Sequence, residues 1–159
     1  MIIGDIINEM FIANNTSTKF LDKIKDSLNK CFLSVSFIKK AGLVLFESNI
    51  ESALKRGVKI KIITSTYQNF TDIASLEKFY EWSEKYSNFE CHLDLECFGD
   101  NGFHSKGYIF EYDDKTEVII GSTNITRFEI LKNIEWNVSL YRNKEETLIS
   151  IILREFNIL

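Results

Sequence analysis

The stretch CFLSVSFIKKAGLVLFESNIESALKRGVKIKIITS, residues 31–65, decides the fold. It begins at 31–38 with a short apolar, β-rich run, which is typical of a strand buried on both faces. Residues 42–56 then place apolar side chains at helical spacing, and Gly57 stands where helices commonly stop. A second strand is predicted at 58–65. Because strands alternate with a helix here, the stretch predicts an α/β fold.

The same alternation continues on both sides of this stretch. Three more helices are predicted, at 17–29, 75–86 and 144–158. Four more strands are predicted, at 89–98, 107–112, 117–122 and 135–141, the middle two forming a hairpin. We therefore expect an α/β/α sandwich, in which a mixed, mostly parallel sheet is flanked by helices on both faces.

The length and charge bound the organisation of the chain. Its 159 residues fit one domain, 1–159, that can bury a core without a stabilising disulfide or metal. The final predicted helix runs to the last residue, so the chain is also compatible with the N-terminal part of a longer protein. The net charge of −4 argues against a domain that holds nucleic acid by electrostatics alone, although a localised basic cleft remains open.

The cysteines and the N-terminus indicate the compartment. Cys31, Cys91 and Cys97 each lie in an apolar run, which predicts reduced, buried thiols in a cytoplasmic protein. The N-terminus carries Asp5 and Glu9 before any basic residue, so it is a poor secretory signal. No apolar run approaches the ~18–20 residues of a membrane span, and no membrane partner is expected.

A histidine and a lysine share one face of a predicted strand. In FHSKGYIFE, residues 103–111, His104 and Lys106 stand at i and i+2, so both side chains project to the same side. Gly107 removes a side chain beside them, which lets a ligand or another backbone approach closely. A nucleophile or base next to a fixed cation suits an anionic substrate. Taken alone, the two residues are also explained as an exposed polar pair.

A polar turn follows the next predicted strand. In GSTN, residues 121–124, the glycine permits a tight turn, and Ser122 and Asn124 offer neutral hydrogen-bond donors. The pattern Thr126-x-x-Glu129 then predicts a capping box at the start of a helix. A strand, turn and helix start of this kind suits an oxyanion or a phosphate group. Ordinary turn and helix-start residues are the alternative explanation.

With Glu135 opening the next strand, the chain resembles a known family. The order His-x-Lys, Gly-Ser-x-Asn and then Glu is similar to the catalytic signature of the phospholipase D superfamily. Residues 35–76 and NIEWNVSL, residues 133–140, are similar to the phospholipase D-like domain found at the N-terminus of some bacterial helicases and in restriction systems. The resemblance thus covers most of the chain and implies the α/β/α fold of that family.

The resemblance implies a role for each residue of the signature. His104 would be the nucleophile that forms a phosphohistidine, and Lys106 would bind the non-bridging oxygens of the phosphate. Ser122 and Asn124 would complete the phosphate pocket. Glu135 would orient a histidine.

One position departs from the family pattern. The family usually carries Asp five residues after the lysine, where this chain has Glu111. Strand alternation turns Glu111 away from His104, so we expect it to support the site from behind rather than to contact substrate. The gap from Glu111 to Gly121 is also longer than usual, as a longer hairpin turn would produce.

A single signature supplies half of such a site. Displacement at phosphorus through a covalent intermediate needs a nucleophile and a general acid for the leaving oxygen. His92 has no lysine two residues later, so the second histidine is expected from another copy of the chain in a homodimer. Lys106 of both copies would stabilise the charge that develops on phosphorus. This chemistry needs no metal and no cofactor.

The sequence therefore predicts a metal-independent phosphodiesterase, an endonuclease acting on DNA as a homodimer. A helicase or specificity domain is expected in the same or a partner chain. The alternative is a non-catalytic dimerisation or nucleic-acid docking domain, which Glu111 and the acidic charge favour. A phosphodiesterase of lipid headgroups is a third possibility, but the sequence shows no basic amphipathic helix for a membrane surface.

Three other groups of residues have simpler explanations. CHLDLEC, residues 91–97, suggests metal ligands. Its polar side chains alternate with leucines, however, as on the solvent-exposed face of a half-buried strand, and their spacing matches no common zinc pattern. Residues 64–67 either line the same crevice at the carboxyl end of the sheet or form a plain polar loop. Phe79, Tyr80 and Trp82 have helical spacing and are assigned to the core rather than to a base-stacking surface.

Overall fold

The structure, a computed structural model, describes residues 8–13, 16–27, 29–95 and 103–158. Its strands are Asn8–Ala13 (β1), Lys30–Val35 (β2), Lys59–Ser65 (β3), Phe89–Asp94 (β4), Lys106–Glu111 (β5), Lys115–Gly121 (β6) and Trp136–Asn143 (β7). Its helices are Thr16–Asp26 (α1), Lys40–Lys55 (α2), Ile73–Lys85 (α3), Arg127–Leu131 (α4) and Thr147–Ile158 (α5), and a 3-10 turn spans Tyr67–Asn69.

These strands form one mixed sheet in the order β1-β7-β6-β5-β2-β3-β4. The predicted mixed sheet with helices on both faces is confirmed. Five of the seven strands run in the same direction, and β5 and β7 run opposite to them. Most strands thus point the same way, as expected. Of the six pairs of neighbouring strands, however, two are parallel and four are antiparallel.

The arrangement of the strands follows from their connections. β2, β3 and β4 are joined by α2 and α3, and a parallel pair needs such a crossover. β5 and β6 are joined by a short turn, in which the N–H of Tyr112 donates to the carbonyl of Lys115 at 2.9 Å, so they pair as the predicted hairpin. Helical crossovers therefore account for the parallel half of the sheet, and a short turn accounts for the β5–β6 pair of its antiparallel half.

One strand and one strand end differ from the sequence prediction. β1 was not predicted; it is an edge strand that pairs antiparallel with β7, far along the chain. Periodicity does not separate so short an apolar run from a helix segment. The strand predicted at 89–98 ends at Asp94, and residues 96–102, which include Cys97, lie outside the described residues.

The larger core lies between the sheet and α1, α2, α3 and α4. Phe20 of α1 stacks on Tyr108 of β5 with ring centroids 4.4 Å apart. Trp82 and Phe79 of α3 pack in the same core, as the sequence predicted. Tyr80 is different, because it lies exposed on the outer side of α3.

Among the described elements, α5 is the helix that packs on the opposite face of the sheet. Its Ile149 and Phe156 pack on Phe32, Ile63 and Ile109 in a second, smaller core. The rings of Phe32 and Phe156 stack with centroids 4.9 Å apart.

Asp72 joins the N-termini of α2 and α3. Its carboxylate accepts from the N–H of Ser75 at 3.0 Å and from the N–H of Lys40 at 3.1 and 2.9 Å. Burial would raise the pKa of Asp72, but these hydrogen bonds lower it overall. The N–H of Asp72 donates to the carbonyl of Ile38 at 3.2 Å, and the N–H of Ile38 donates to Thr71 Oγ1 at 3.3 Å. The segment before α3 is thereby fastened to the turn after β2.

The described cysteines are free thiols. Cys31 is buried and Cys91 is partly buried. Burial raises the pKa of both thiols, that of Cys91 to about 12.

No helix among the described residues combines the length and apolar character needed to cross a membrane.

Gly42 supports a testable prediction about the packing of α2. A Cβ at Gly42 would lie 2.5 Å from the carbonyl oxygen of Ile125, which is backbone and cannot move aside cheaply. We expect Gly42→Ala to lower the free energy of unfolding by about 1–3 kcal/mol, measured by denaturant titration. Gly107→Ala is the matched control, because a Cβ there meets nothing within 4 Å. Equal losses in the two variants would contradict the packing argument.

Candidate active site

His104 and Lys106 lie where β5 begins. The strand starts at Lys106, so His104 precedes it rather than lying in it as predicted. The side chains nevertheless meet, with Nζ of Lys106 3.0 Å from Nε2 of His104. An ammonium group only donates, so a hydrogen bond here requires the ring to accept at Nε2. His104 is exposed, so this ring is accessible to a substrate.

Ser36 holds Lys106 from the turn after β2. Nζ of Lys106 donates to Ser36 Oγ at 2.9 Å. The carbonyl of Ser36 accepts in turn from Thr64 Oγ1 at 3.4 Å and from Ser65 Oγ at 2.8 Å. Thr64 and Ser65, at the buried end of β3, therefore brace the turn that positions the lysine. Ser36 was missed, although a polar residue at the carboxyl end of a buried strand is a usable signal.

Ser122 and Glu135 form a second contact of the site. Ser122 Oγ donates to the carboxylate of Glu135 and accepts from the N–H of Trp136 at 3.1 Å. The N–H of Ser122 donates to the carbonyl of Trp136 at 3.1 Å. These bonds clamp the end of β6 to the start of β7, and Glu135 is buried as a result.

Asn124 connects this turn to the turn after β2. Its Oδ1 accepts from the N–H of Phe37 at 3.4 Å. The side chain of Asn124 is buried. Tyr108 of β5 also contacts the Gly-Ser-x-Asn turn, because its hydroxyl donates to the carbonyl of Thr123 at 2.7 Å. The Gly-Ser-x-Asn turn is thus fixed against the strand that carries Lys106.

Glu129 has a role that the sequence did not predict. Half of the expected capping box forms, because Thr126 Oγ1 accepts from the N–H of Glu129 at 3.2 Å. The carboxylate of Glu129 is directed at Asn124 instead, where it accepts from the backbone N–H and from Nδ2, the latter at 3.4 Å. In the sequence, the capping pattern alone explains why a glutamate stands at this position, so no further signal indicates that Glu129 belongs to the site.

One cation and two carboxylates determine the charge of the site. Burial lowers the pKa of Lys106, while Glu129 and Glu135 favour its charged form. Burial also raises the pKa of Glu129, with a further increase from Glu135. These mutual effects show that Lys106, Glu129 and Glu135 lie close enough to influence one another electrostatically.

A cavity of about 480 Å³ opens beside this site, on the face that carries α5. His104 and Lys106 line its polar end, and Ile109, Ile120 and Ile151 line its apolar side. Gly107 also lines it, which agrees with the expectation that this glycine leaves room for a ligand.

Glu111 lies at the other end of β5, about 17 Å along the strand from Lys106 at normal strand rise. Its carboxylate is 3.8 Å from Nζ of Lys30 and 3.8 Å from Nζ of Lys144. It faces away from Lys106, as strand alternation predicted. These contacts tie β5 to its surroundings at the far end of the sheet, so support for His104 stays a prediction.

The residues that suggested a metal site lie on β4, at the edge of the sheet. His92 and Asp94 are exposed there, and Nε2 of His92 is 3.8 Å from the carboxylate of Glu90. Within the described ranges, no three His, Cys, Asp or Glu side chains are grouped to hold a metal ion. Glu96 and Cys97 lie outside those ranges.

Known proteins share this fold. A protein-family model described as "Cardiolipin synthase, PLD-like domain" matches residues 20–159. NucT from Helicobacter pylori has a TM-score of 0.71 and 17% identity, over 95% of this chain and 94% of that chain. Nuc from Salmonella typhimurium, a phospholipase D family member, has a TM-score of 0.69 and 20% identity, over 94% and 93% of the two chains.

A third structure matches over a smaller share of its length. TrmBL2, an archaeal chromatin protein, has a TM-score of 0.61 and 17% identity, over 96% of this chain and 52% of that chain. No curated protein sequence matches this chain significantly. At these identities the solved structures establish the shared fold.

The raised pKa of Glu129 predicts a pH-dependent stability. The folded state binds this proton more tightly than the unfolded chain, so the free energy of unfolding should fall as the pH rises between the ordinary and the raised pKa. Glu129→Gln, which stays neutral, should lose that part of the pH dependence in denaturant titrations at acidic and mildly alkaline pH. Glu77→Gln, at an exposed position of α3, is the control. An unchanged pH dependence in Glu129→Gln would contradict this assignment.

Proposed function

The chain belongs to the phospholipase D-like family, and on that premise we propose that it is a metal-independent phosphodiesterase that cleaves DNA. The observation that carries this proposal is the contact between Nζ of Lys106 and Nε2 of His104. It pairs an accessible nitrogen nucleophile with a cation that can hold a phosphate. Ser122 and Glu135 lie in the same site and add a hydroxyl and a carboxylate.

The proposed reaction begins with attack by His104 on phosphorus. A bond forms between Nε2 and phosphorus while the bond to the leaving oxygen breaks, which gives a phosphohistidine. The leaving oxygen takes a proton from a general acid. Water then attacks phosphorus and gives a proton to the same group, which now acts as a base, while the phosphorus–nitrogen bond breaks and His104 is released. Lys106 stabilises the negative charge on the non-bridging oxygens in both steps, and Asn124 keeps the pocket in place.

The general acid in this proposal is His104 of a second copy. An apolar strip borders the cavity beside His104: Ile120 pairs with Val138 across β6 and β7, and Trp136 lies on the same side of β7. Ile151 of α5 continues the strip, and all four side chains are exposed. Such a contiguous apolar surface suits a protein interface. A two-fold axis through it would bring both His104 side chains to one site.

DNA is proposed as the substrate on two grounds. The resemblance of residues 35–76 and 133–140 is to domains of helicases and restriction systems, which act on DNA. TrmBL2, which shares the fold, is described as having a novel mode of DNA binding. A helicase or specificity domain in the same or a partner chain belongs to this proposal.

A non-catalytic docking domain is the second candidate. The specific observation in its favour is the charge of the site, where Lys106 faces both Glu129 and Glu135. A phosphate that enters this site is repelled by the negative charge of two carboxylates. Catalysis and docking differ in their dependence on His104, because docking needs no nucleophile.

Cleavage in the presence of a chelator tests the enzyme. We expect the parent to cut DNA in excess EDTA, because two histidines and two lysines replace the metal. His104→Ala should lower the rate by about a thousandfold or more, since it removes the nucleophile. His92→Ala is the matched control and should keep the parental rate. Cleavage that EDTA abolishes, or that His104→Ala retains, would rule out this mechanism.

Mixing two forms of the chain tests the shared site. If each site needs His104 from both copies, mixed dimers of parent and His104→Ala are inactive. An equal mixture, refolded together, should then retain about a quarter of the parental activity rather than about half. The measurement is the cleavage rate at constant total protein. Activity proportional to the amount of parent would show that each copy acts alone.

A further inference from the structure

Two phenylalanines extend the candidate site along the turn after β2. Nζ of Lys106 lies 5.7 Å from the ring centroid of Phe37. The rings of Phe37 and Phe70 are 5.1 Å apart at their centroids. Nζ of Lys39 lies 5.8 Å from the ring centroid of Phe70. A cation, two rings and a second cation therefore follow one another, starting at the proposed phosphate site.

We propose that Phe70, backed by Phe37, is a stacking site for an unpaired nucleobase, so that the DNA bound here is single-stranded. The base would neighbour the phosphate held by Lys106, and Lys39 would contact the next phosphate. This inference rests on the proposed function only for the place of the first phosphate. Aromatic stacking combined with cations along the backbone is the general means by which proteins bind single strands.

Phe70 is held in place before any ligand arrives. Residues 71 and 72, which follow it, are tied to Ile38 and Lys40 by the hydrogen bonds described above. Phe37 is tied by its N–H to Asn124 Oδ1. Both rings are therefore attached to fixed backbone, and stacking on them would cost little ordering of the protein.

The backbone before Phe70 is left-handed at two consecutive residues, Gln68 and Asn69, with φ angles of 47° and 56°. Asparagine adopts this region routinely, so the strain lies at Gln68. Two consecutive residues of this kind lead directly into Phe70. Strain of this sort persists where the surrounding structure fixes it, and it is common at ligand-binding segments.

The exposure of Phe70 separates it from the aromatic side chains of the core. Phe79 and Trp82 are buried, whereas 41% of Phe70 remains exposed beside a polar site. With a net charge of −4, the chain needs a contribution to DNA binding that does not depend on charge alone. Bases inside a duplex are stacked on each other, so this surface is available only to an unpaired or extruded base.

Binding measured without cleavage tests the stacking site. The background is His104→Ala, and the probe is fluorescein-labelled oligothymidine of about a dozen nucleotides. Adding Phe70→Ala should weaken binding about 5- to 150-fold, the range expected for loss of one stacked base. An abasic strand of the same length should bind both forms equally, because it has phosphates but no bases. A duplex of the same sequence should also bind both equally.

Two further variants separate stacking from folding. Phe70→Leu keeps an apolar contact with Phe37 but has no ring, so it should lose binding while its melting temperature stays near the parental value. Tyr80→Ala removes an exposed aromatic side chain from α3 and should bind as the parent does. Parental affinity in Phe70→Leu, or equal losses on the abasic strand, would overturn the stacking site. If binding depends on the bases but the parent chain cleaves no DNA, the stacking site stands and the nuclease is rejected.

Discussion

Lys106 must keep a charged ammonium group in a partly buried place, and much of the surrounding structure meets that demand. Burial lowers its pKa, so the charge is retained with the help of Glu129 and Glu135. Ser36 Oγ, His104 Nε2 and the carbonyl oxygen of His104 all lie within hydrogen-bond distance of its Nζ. The contacts that hold the cation therefore also hold it beside the ring of the proposed nucleophile.

The sequence revealed the parts of the site that are close together in the chain. His104 and Lys106 are two residues apart in sequence, as are Ser122 and Asn124, so short motifs identify them. Helices with clear periodicity, such as α2 and α3, were also predicted within a few residues.

The missed parts depend on contacts between distant segments. Ser36 and Phe37 approach Lys106, and Phe70 approaches Phe37, only because β2 and β5 are neighbours in the sheet and the segment before α3 folds back on the turn after β2. β1 is a strand only because β7 is available to pair with it. Glu129 was missed for another reason, since a local rule already explained it. Local patterns thus predict elements and motifs, and tertiary pairing decides which other residues join them.

The exposed β4 strand has a consequence for how the molecule behaves at high concentration. It is an edge of the sheet, with backbone groups that another strand could pair with. Glu90, His92 and Asp94 are exposed along it and place charged or titratable groups on every second residue. A strand that approached this edge would have to desolvate them. His92 and Asp94, which looked like metal ligands, together with Glu90 are therefore expected to disfavour pairing of another strand along the described part of β4.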